Sequence, residues 1–192
     1  MILDKKARFL MIVFLATVSS LQAQRAMFIL RHAERAEYDE RDGNLSKAGE
    51  TRALNLARLL REVGVSTIIT TEAKRSKQTA EPLARSLGLT LTTIKTRSPQ
   101  TPPAPPAKDE IFLVIDRQPG WEADYAKQLM DDIRSHHKDD VVVIIGHQNT
   151  VPAIVRATGY TGEVNIGDYE HDDIFVVVPK ESGPPTVLRL NY

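Results

Sequence analysis

The stretch Met27-Phe28-Ile29-Leu30-Arg31-His32-Ala33-Glu34 decides how the rest of this chain is read. Four consecutive apolar residues fit a short strand buried on both faces, as strands inside parallel sheets are. The strand ends at once in an arginine, a histidine and a glutamate. Open α/β sheets bind ligands beyond the carboxyl ends of their strands, so a buried strand delivering three ionisable groups there marks a candidate crevice.

A second run of this kind, Val141-Val142-Val143-Ile144-Ile145, passes through Gly146 into His147. Between the two, Ser46 is placed to cap a helix whose apolar stripe is Ala53, Leu54, Leu56, Ala57, Leu59 and Leu60, with Gly64 as its stop. The β-branched residues of 65–70 predict a strand. A helix over 71–87 follows, with Ala73, Ala80, Leu83, Ala84 and Leu87 facing inward, Gly88 ending it and Pro82 predicting a kink or a break. Alternating Leu and Thr over 89–95 predicts a half-buried strand. The proline-rich residues 98–107 read as an extended surface connector, with a lid over a site as the other reading. Residues 111–115 fit a short edge strand.

Toward the end of the chain, 121–137 reads as a helix burying Tyr125, Leu129, Met130 and Ile133. Residues 150–158 form another, carrying Pro152 in its first turn, where proline is tolerated. Residues 174–178 and 186–190 are closing strands. This alternation predicts an α/β three-layer sandwich, a largely parallel central sheet flanked by helices, with no internal repeat and no second domain.

The two ends of the composition narrow the function. Of 192 residues, 42% are hydrophobic and 26% charged, and 25 basic residues balance 25 acidic ones, so neither nucleic acid nor another polyanion is an expected partner. The absence of cysteine excludes thiol catalysis and cysteine-ligated zinc. Lys5, Lys6 and Arg8 precede an apolar run over 9–16 and then small residues, the order of a secretory leader too short to span a bilayer. Residues 1–23 are therefore expected to be a signal peptide, cut after Ala23 or after Ser20. Residues 24–192 would then be a single exported domain, periplasmic or secreted, without stable membrane insertion.

Chemistry gathers at three strand ends. Arg31 and His32 leave one, His147 leaves another, and the third, ending at Thr70-Thr71, opens a helix whose first turns carry Lys74 and Arg75. Helix starts favour anions, and guanidinium forks match phosphate oxygens. Two histidines and two arginines around one point suggest a phosphate pocket in which an imidazole attacks phosphorus.

These residues also carry a resemblance. Arg31-His32-Ala33-Glu34 resembles the R-H-G-E signature of the histidine phosphatase superfamily, the phosphoglycerate-mutase-like proteins. Leu45-Ser46 with Gly49 and Ala53 resembles its L-T-x-x-G helix start, and Thr70-Thr71 through Arg75, Gln78, Thr79 and Ala80 resembles its S-S-x-x-x-R-x-x-Q-T-A segment. Gly146-His147 resembles its second catalytic histidine. The blocks keep the family's order over residues 26 to 158. The resemblance implies that His32 is phosphorylated, that Arg31, Arg75 and His147 hold the phosphoryl group, and that Glu34 borders the pocket. It points to the small phosphatase branch, which includes phosphohistidine phosphatases, because the mutases' large insertions are missing.

Three departures accompany it. Ala33 replaces a glycine, Tyr38 stands where mutases carry an asparagine, and the mutase-type glutamate proton donor has no counterpart. The expected activity is metal-independent phosphomonoester hydrolysis on a small phosphorylated substrate, with no cofactor. A catalytically inactive anion-binding scaffold is the alternative from another class, and a phosphohistidine-protein phosphatase is the alternative for a cytoplasmic chain. For the proton donor, Glu34 is expected first, Glu110 or Asp116 next, and His147 or a water otherwise. His171 reads as part of a surface turn, with the pocket rim as the other reading, and His136-His137 as the polar end of a helix.

Overall fold

The computed structural model describes residues 26–36, 42–96 and 120–192. Six strands form one sheet: β1 (Ala26–Arg31), β2 (Thr67–Thr70), β3 (Leu91–Thr93), β4 (Val141–Gly146), β5 (Asp173–Val178) and β6 (Thr186–Asn191), in the order β3-β2-β4-β1-β5-β6. The first four run parallel, and β5 and β6 add an antiparallel pair at one edge. Helices α1 (Lys47–Leu60), α2 (Lys74–Leu87), α3 (Trp121–His136) and α4 (Thr150–Ala157) flank it, giving the three-layer α/β architecture expected from the alternation.

Period-two alternation sorts the sheet's apolar residues into two cores. Phe28, Leu30, Ile68, Val143 and Ile145 face α1 and α2. Met27, Ile29, Ile69, Val142 and Ile144 face α3 and α4. Both central strands are therefore covered on each face, which is why they read as unbroken apolar runs.

Four expectations need correcting. On α1 the buried stripe is Gly49, Ala53, Leu56, Ala57 and Leu60. Leu54 and Leu59 are about half exposed, because at 3.6 residues per turn each lies about a third of a turn from the stripe's centre. Helix α2 starts at Lys74 rather than at 71 and runs through Pro82 without a break. Ala80, Leu83 and Ala84 pack it onto the sheet across the one hydrogen bond that proline cannot make. The strand expected over 89–95 is confined to Leu91–Thr93, with Thr92 and Thr93 exposed, since it pairs only with β2 at the sheet's edge. Residues 98–107 with their lid reading, the strand of 111–115 and the signal peptide lie outside the described residues.

Candidate active site

Register brings the two histidines together. Arg31 of β1 pairs with Gly146 of β4, and the His32 amide extends that ladder by donating to the Gly146 carbonyl at 2.9 Å. His32 and His147 thus leave adjacent strands side by side, their ring centroids 5.3 Å apart and edge to face. Gly146 is required here: a Cβ would approach the Thr150 Oγ1 to 2.8 Å and the Val151 Cγ2 to 3.2 Å.

His32 is buried, with 6% of its surface exposed. Its Nδ1 lies 2.8 Å from the Ala33 carbonyl oxygen, and a carbonyl only accepts, so Nδ1 carries the proton and Nε2 keeps its lone pair. Into that lone pair Arg75 donates from Nε at 3.0 Å. Burial, reinforced by His147, Arg75 and Arg31 and opposed by the Ala33 hydrogen bond, pulls the imidazole down to a pKa of about 2. The ring is therefore neutral at physiological pH, with the Nε2 lone pair facing Arg75.

Arg75 also reaches His147, its Nη2 3.4 Å from Nδ1. A guanidinium only donates, so His147 accepts at Nδ1 and carries its proton on Nε2, which donates to Thr71 Oγ1 at 3.0 Å. Thr71 donates onward to Ser76 at 3.0 Å. The neighbouring residues of α2 bind main chain: Thr79 Oγ1 accepts from the Ala33 amide and Gln78 Oε1 from the Leu45 amide, each at 2.9 Å. Asp42 accepts from the Lys74 amide at 2.8 Å and so caps a helix whose own Ala73 has no capping group.

The turn after β1 is clamped by α1. Ser46 donates its amide to the Glu34 carbonyl at 2.9 Å and accepts from Gly49 at its hydroxyl. A Cβ on Gly49 would collide with that same Glu34 carbonyl oxygen.

Arg31 faces the opposite wall. Its Nη1 donates to the carbonyls of Gly167, Asp168 and Glu170 at 3.0, 2.9 and 3.1 Å. Its buried Nε has no hydrogen-bond partner among the described residues. Burial lowers its pKa below the ordinary arginine value. Gln148 bonds the same loop at the Ile166 carbonyl and at the Asp168 carboxylate.

Two features escape the sequence reading. Glu34 is held by Arg52 through three contacts of 2.7 to 3.0 Å. Burial pushes its pKa up, but the Arg52 hydrogen bonds and charge outweigh burial and leave it below the usual carboxylate value. Glu34 is thus a poor proton donor, and the cause is Arg52, a helical residue whose place there no sequence pattern signals. His171 is not part of a surface turn. Its Nδ1 donates to the His32 carbonyl at 2.8 Å and its ring lies 5.6 Å from the His32 ring. His137, by contrast, sits at the end of α3 bonded to Asp140, as a helix-end histidine should. Tyr38, Glu110 and Asp116 lie outside the described residues.

Together Arg31, His32, Glu34, Arg75, His147 and His171 line a cleft of about 840 Å³ with Ser46, Gln148, Asn149 and Asp168. Among the described residues, no group of three or more His, Cys, Asp or Glu is disposed to hold a metal ion, and no helix is long and apolar enough to cross a membrane.

The neutral, arginine-capped histidine stands at the carboxyl edge of a largely parallel sheet, where the sequence resemblance implied it. The family model described as histidine phosphatase superfamily (branch 1) matches residues 27–96, the segment from the first histidine's strand through the arginine helix. That match spans 70 of the 192 residues. No curated protein matches it significantly. Solved structures share the fold at low identity. A mycobacterial glucosyl-3-phosphoglycerate phosphatase is 16% identical with a TM-score of 0.59, covering 87% of this chain and 98% of its own. The protein histidine phosphatase SixA, solved with tungstate, is 18% identical with a TM-score of 0.61, covering 86% and 96%. A phosphoserine phosphatase from Entamoeba histolytica is 13% identical with a TM-score of 0.58, covering 88% and 97%.

Proposed function

We propose that this protein hydrolyses phosphomonoesters through a covalent phosphohistidine at His32. The observation that carries the reading is the His32 ring itself, unprotonated at Nε2 with Arg75 directed at that nitrogen. When a phosphoryl group enters, Arg75 turns from the lone pair to the phosphoryl oxygens and Arg31 joins it beside the His147 ring. Nε2 attacks phosphorus and the ester oxygen departs. Water then attacks the phosphohistidine, returning the electron pair to Nε2 and releasing phosphate. Dividing the displacement in this way replaces one hard step by two easier ones, and positioning with charge stabilisation does most of the work in phosphoryl transfer.

Two guanidiniums supply the positive field that other phosphatases take from a metal, so turnover should survive a chelator. The acid-lability of phosphohistidine gives the decisive test. Substrate labelled in its phosphoryl group should leave alkali-stable, acid-labile label on His32 after rapid quenching, and label on any other residue would reject the reading. Small phosphorylated compounds are the proposed substrates, in keeping with the phosphoglycerate- and phosphoserine-directed enzymes that share the fold. Export is proposed from the leader-like residues 1–23, and fractionation of native cells with sequencing of the mature N-terminus checks it.

A further inference from the structure

The cleft contains a third imidazole to which the reading above gives no task. An alcohol leaving phosphorus needs a proton, and the described groups of the cleft offer few sources. Glu34 is committed to Arg52. Both ring nitrogens of His147 are engaged, by Thr71 and Arg75. The guanidiniums of Arg31 and Arg75 do not release protons at working pH, and the Asp168 carboxylate accepts from Gln148 at 2.7 Å. His171 differs from all of these. Its Nδ1 is fixed on the His32 carbonyl, its ring is tilted 50° to the His32 ring at 5.6 Å, and no described residue bonds its Nε2.

We propose that His171 is the acid–base residue of the reaction, its Nε2 giving a proton to the departing alcohol and then taking one from the attacking water. This rests on the phosphohistidine reading. Fixing Nδ1–H on a carbonyl settles which nitrogen exchanges protons, much as a carboxylate settles the tautomer of a catalytic histidine elsewhere. The carbonyl it holds is that of the nucleophile's own residue, so the two rings keep a constant relation.

The protons balance. In the empty cleft His171 rests neutral: burial lowers its pKa, Arg31 and Arg52 add to that, and the His32 hydrogen bond and Glu34 oppose it. A phosphomonoester arriving as the monoanion passes its proton to Nε2, and the resulting dianion holds the imidazolium by charge. His32 Nε2 then bonds to phosphorus as the P–O ester bond breaks, and the proton moves from His171 to the leaving oxygen. In the second half, neutral His171 removes a proton from water, hydroxide oxygen bonds to phosphorus, and the N–P bond breaks toward His32. Phosphate leaves with His171 ready to lose its proton.

His171→Asn tests this, because its side-chain amide can still donate to the His32 carbonyl but presents nothing in place of Nε2. General acids contribute about 100- to 10,000-fold. On an alkyl phosphate, kcat/KM should fall at least about 100-fold. On nitrophenyl phosphate, whose leaving group needs little help, kcat/KM should fall by less than about tenfold, while kcat drops and phosphohistidine accumulates because water attack has lost its base. Equal falls in kcat/KM on both esters, or no fall on either, would overturn the assignment and leave His171 a positioning residue or a bystander. His171→Gln, which lacks the carbonyl hydrogen bond but matches the ring's length, repeats the comparison should the asparagine variant melt early. The underlying reading fails by a separate sign: the unaltered protein would then show no acid-labile label on His32 with either ester.

Discussion

The two walls of the cleft are held by different means. On the wall of β1, α1 and α2, side chains with fixed chemistry hold one another or a fixed amide: Arg75 on His32 and His147, Thr71 on His147, Thr79 and Gln78 on main-chain amides, Arg52 on Glu34. The wall formed by residues 166–170 is held mainly through its carbonyls, three of them on Arg31 and one on Gln148, with the Gly167 amide on Glu170. A carbonyl is the same whatever residue carries it. The first wall should therefore be intolerant of substitution and the second permissive, apart from His171.

The hardest blow to that contrast falls on His32. His32→Asn should bring turnover to background, and it should also flatten the loss of stability on acidification. Because the folded pKa is depressed from 6.5 to about 2, the unfolded chain takes up a proton that the folded one refuses, so stability drops as pH falls below 6.5. Melting temperatures of the two proteins between pH 7 and pH 4 check this, and parallel curves would contradict the burial argument.

Arg75→Ala comes next, with a fall of about 100- to 1000-fold in kcat and a preserved circular dichroism spectrum. Arg52→Met should cost about 1–2 kcal/mol, less than a fully buried pair would because about a quarter of each side chain is exposed. The sign follows from Glu34, whose folded pKa lies below its ordinary 4.5. The pair's contribution is present above 4.5 and is lost as pH falls through the folded value. Urea midpoints should thus separate the two proteins at neutral pH and converge in acid.

The smallest effect belongs to the second wall. Glu170→Ala removes the acceptor for the Gly167 amide, a net hydrogen bond of about 1 kcal/mol. Hydrogen exchange at Gly167 should quicken about fivefold while kcat changes by less than a factor of about two. A loss in kcat as deep as that of Arg75→Ala would erase the distinction between the walls.

The same contrast explains what could be read in advance. β1 and β4 announce themselves as apolar runs because each is covered on both faces, and the meeting of Arg31, His32, Arg75 and His147 follows because each lies at or just beyond the carboxyl end of a neighbouring strand. Arg52 was illegible, since an arginine on an amphipathic helix usually faces water, and its partner Glu34 is 18 positions away. His171 leaves surface turn and pocket rim both open in the sequence because its partner is a carbonyl, which has no signature there. Leu54 and Leu59 are exposed for a simpler reason: a leucine faces inward only where its angle on the helix matches the stripe.

The Arg75 hydrogen bond to His32 has a consequence for reactivity in a crowded cell. A lone pair already occupied by a guanidinium is silent toward stray electrophiles, alkylating agents and reactive carbonyls alike. Only a visitor bearing enough negative charge to draw the guanidinium away uncovers it. On the proposed mechanism the histidine is thus chemically quiet until the appropriate anion arrives, and selectivity begins before any bond to phosphorus has formed.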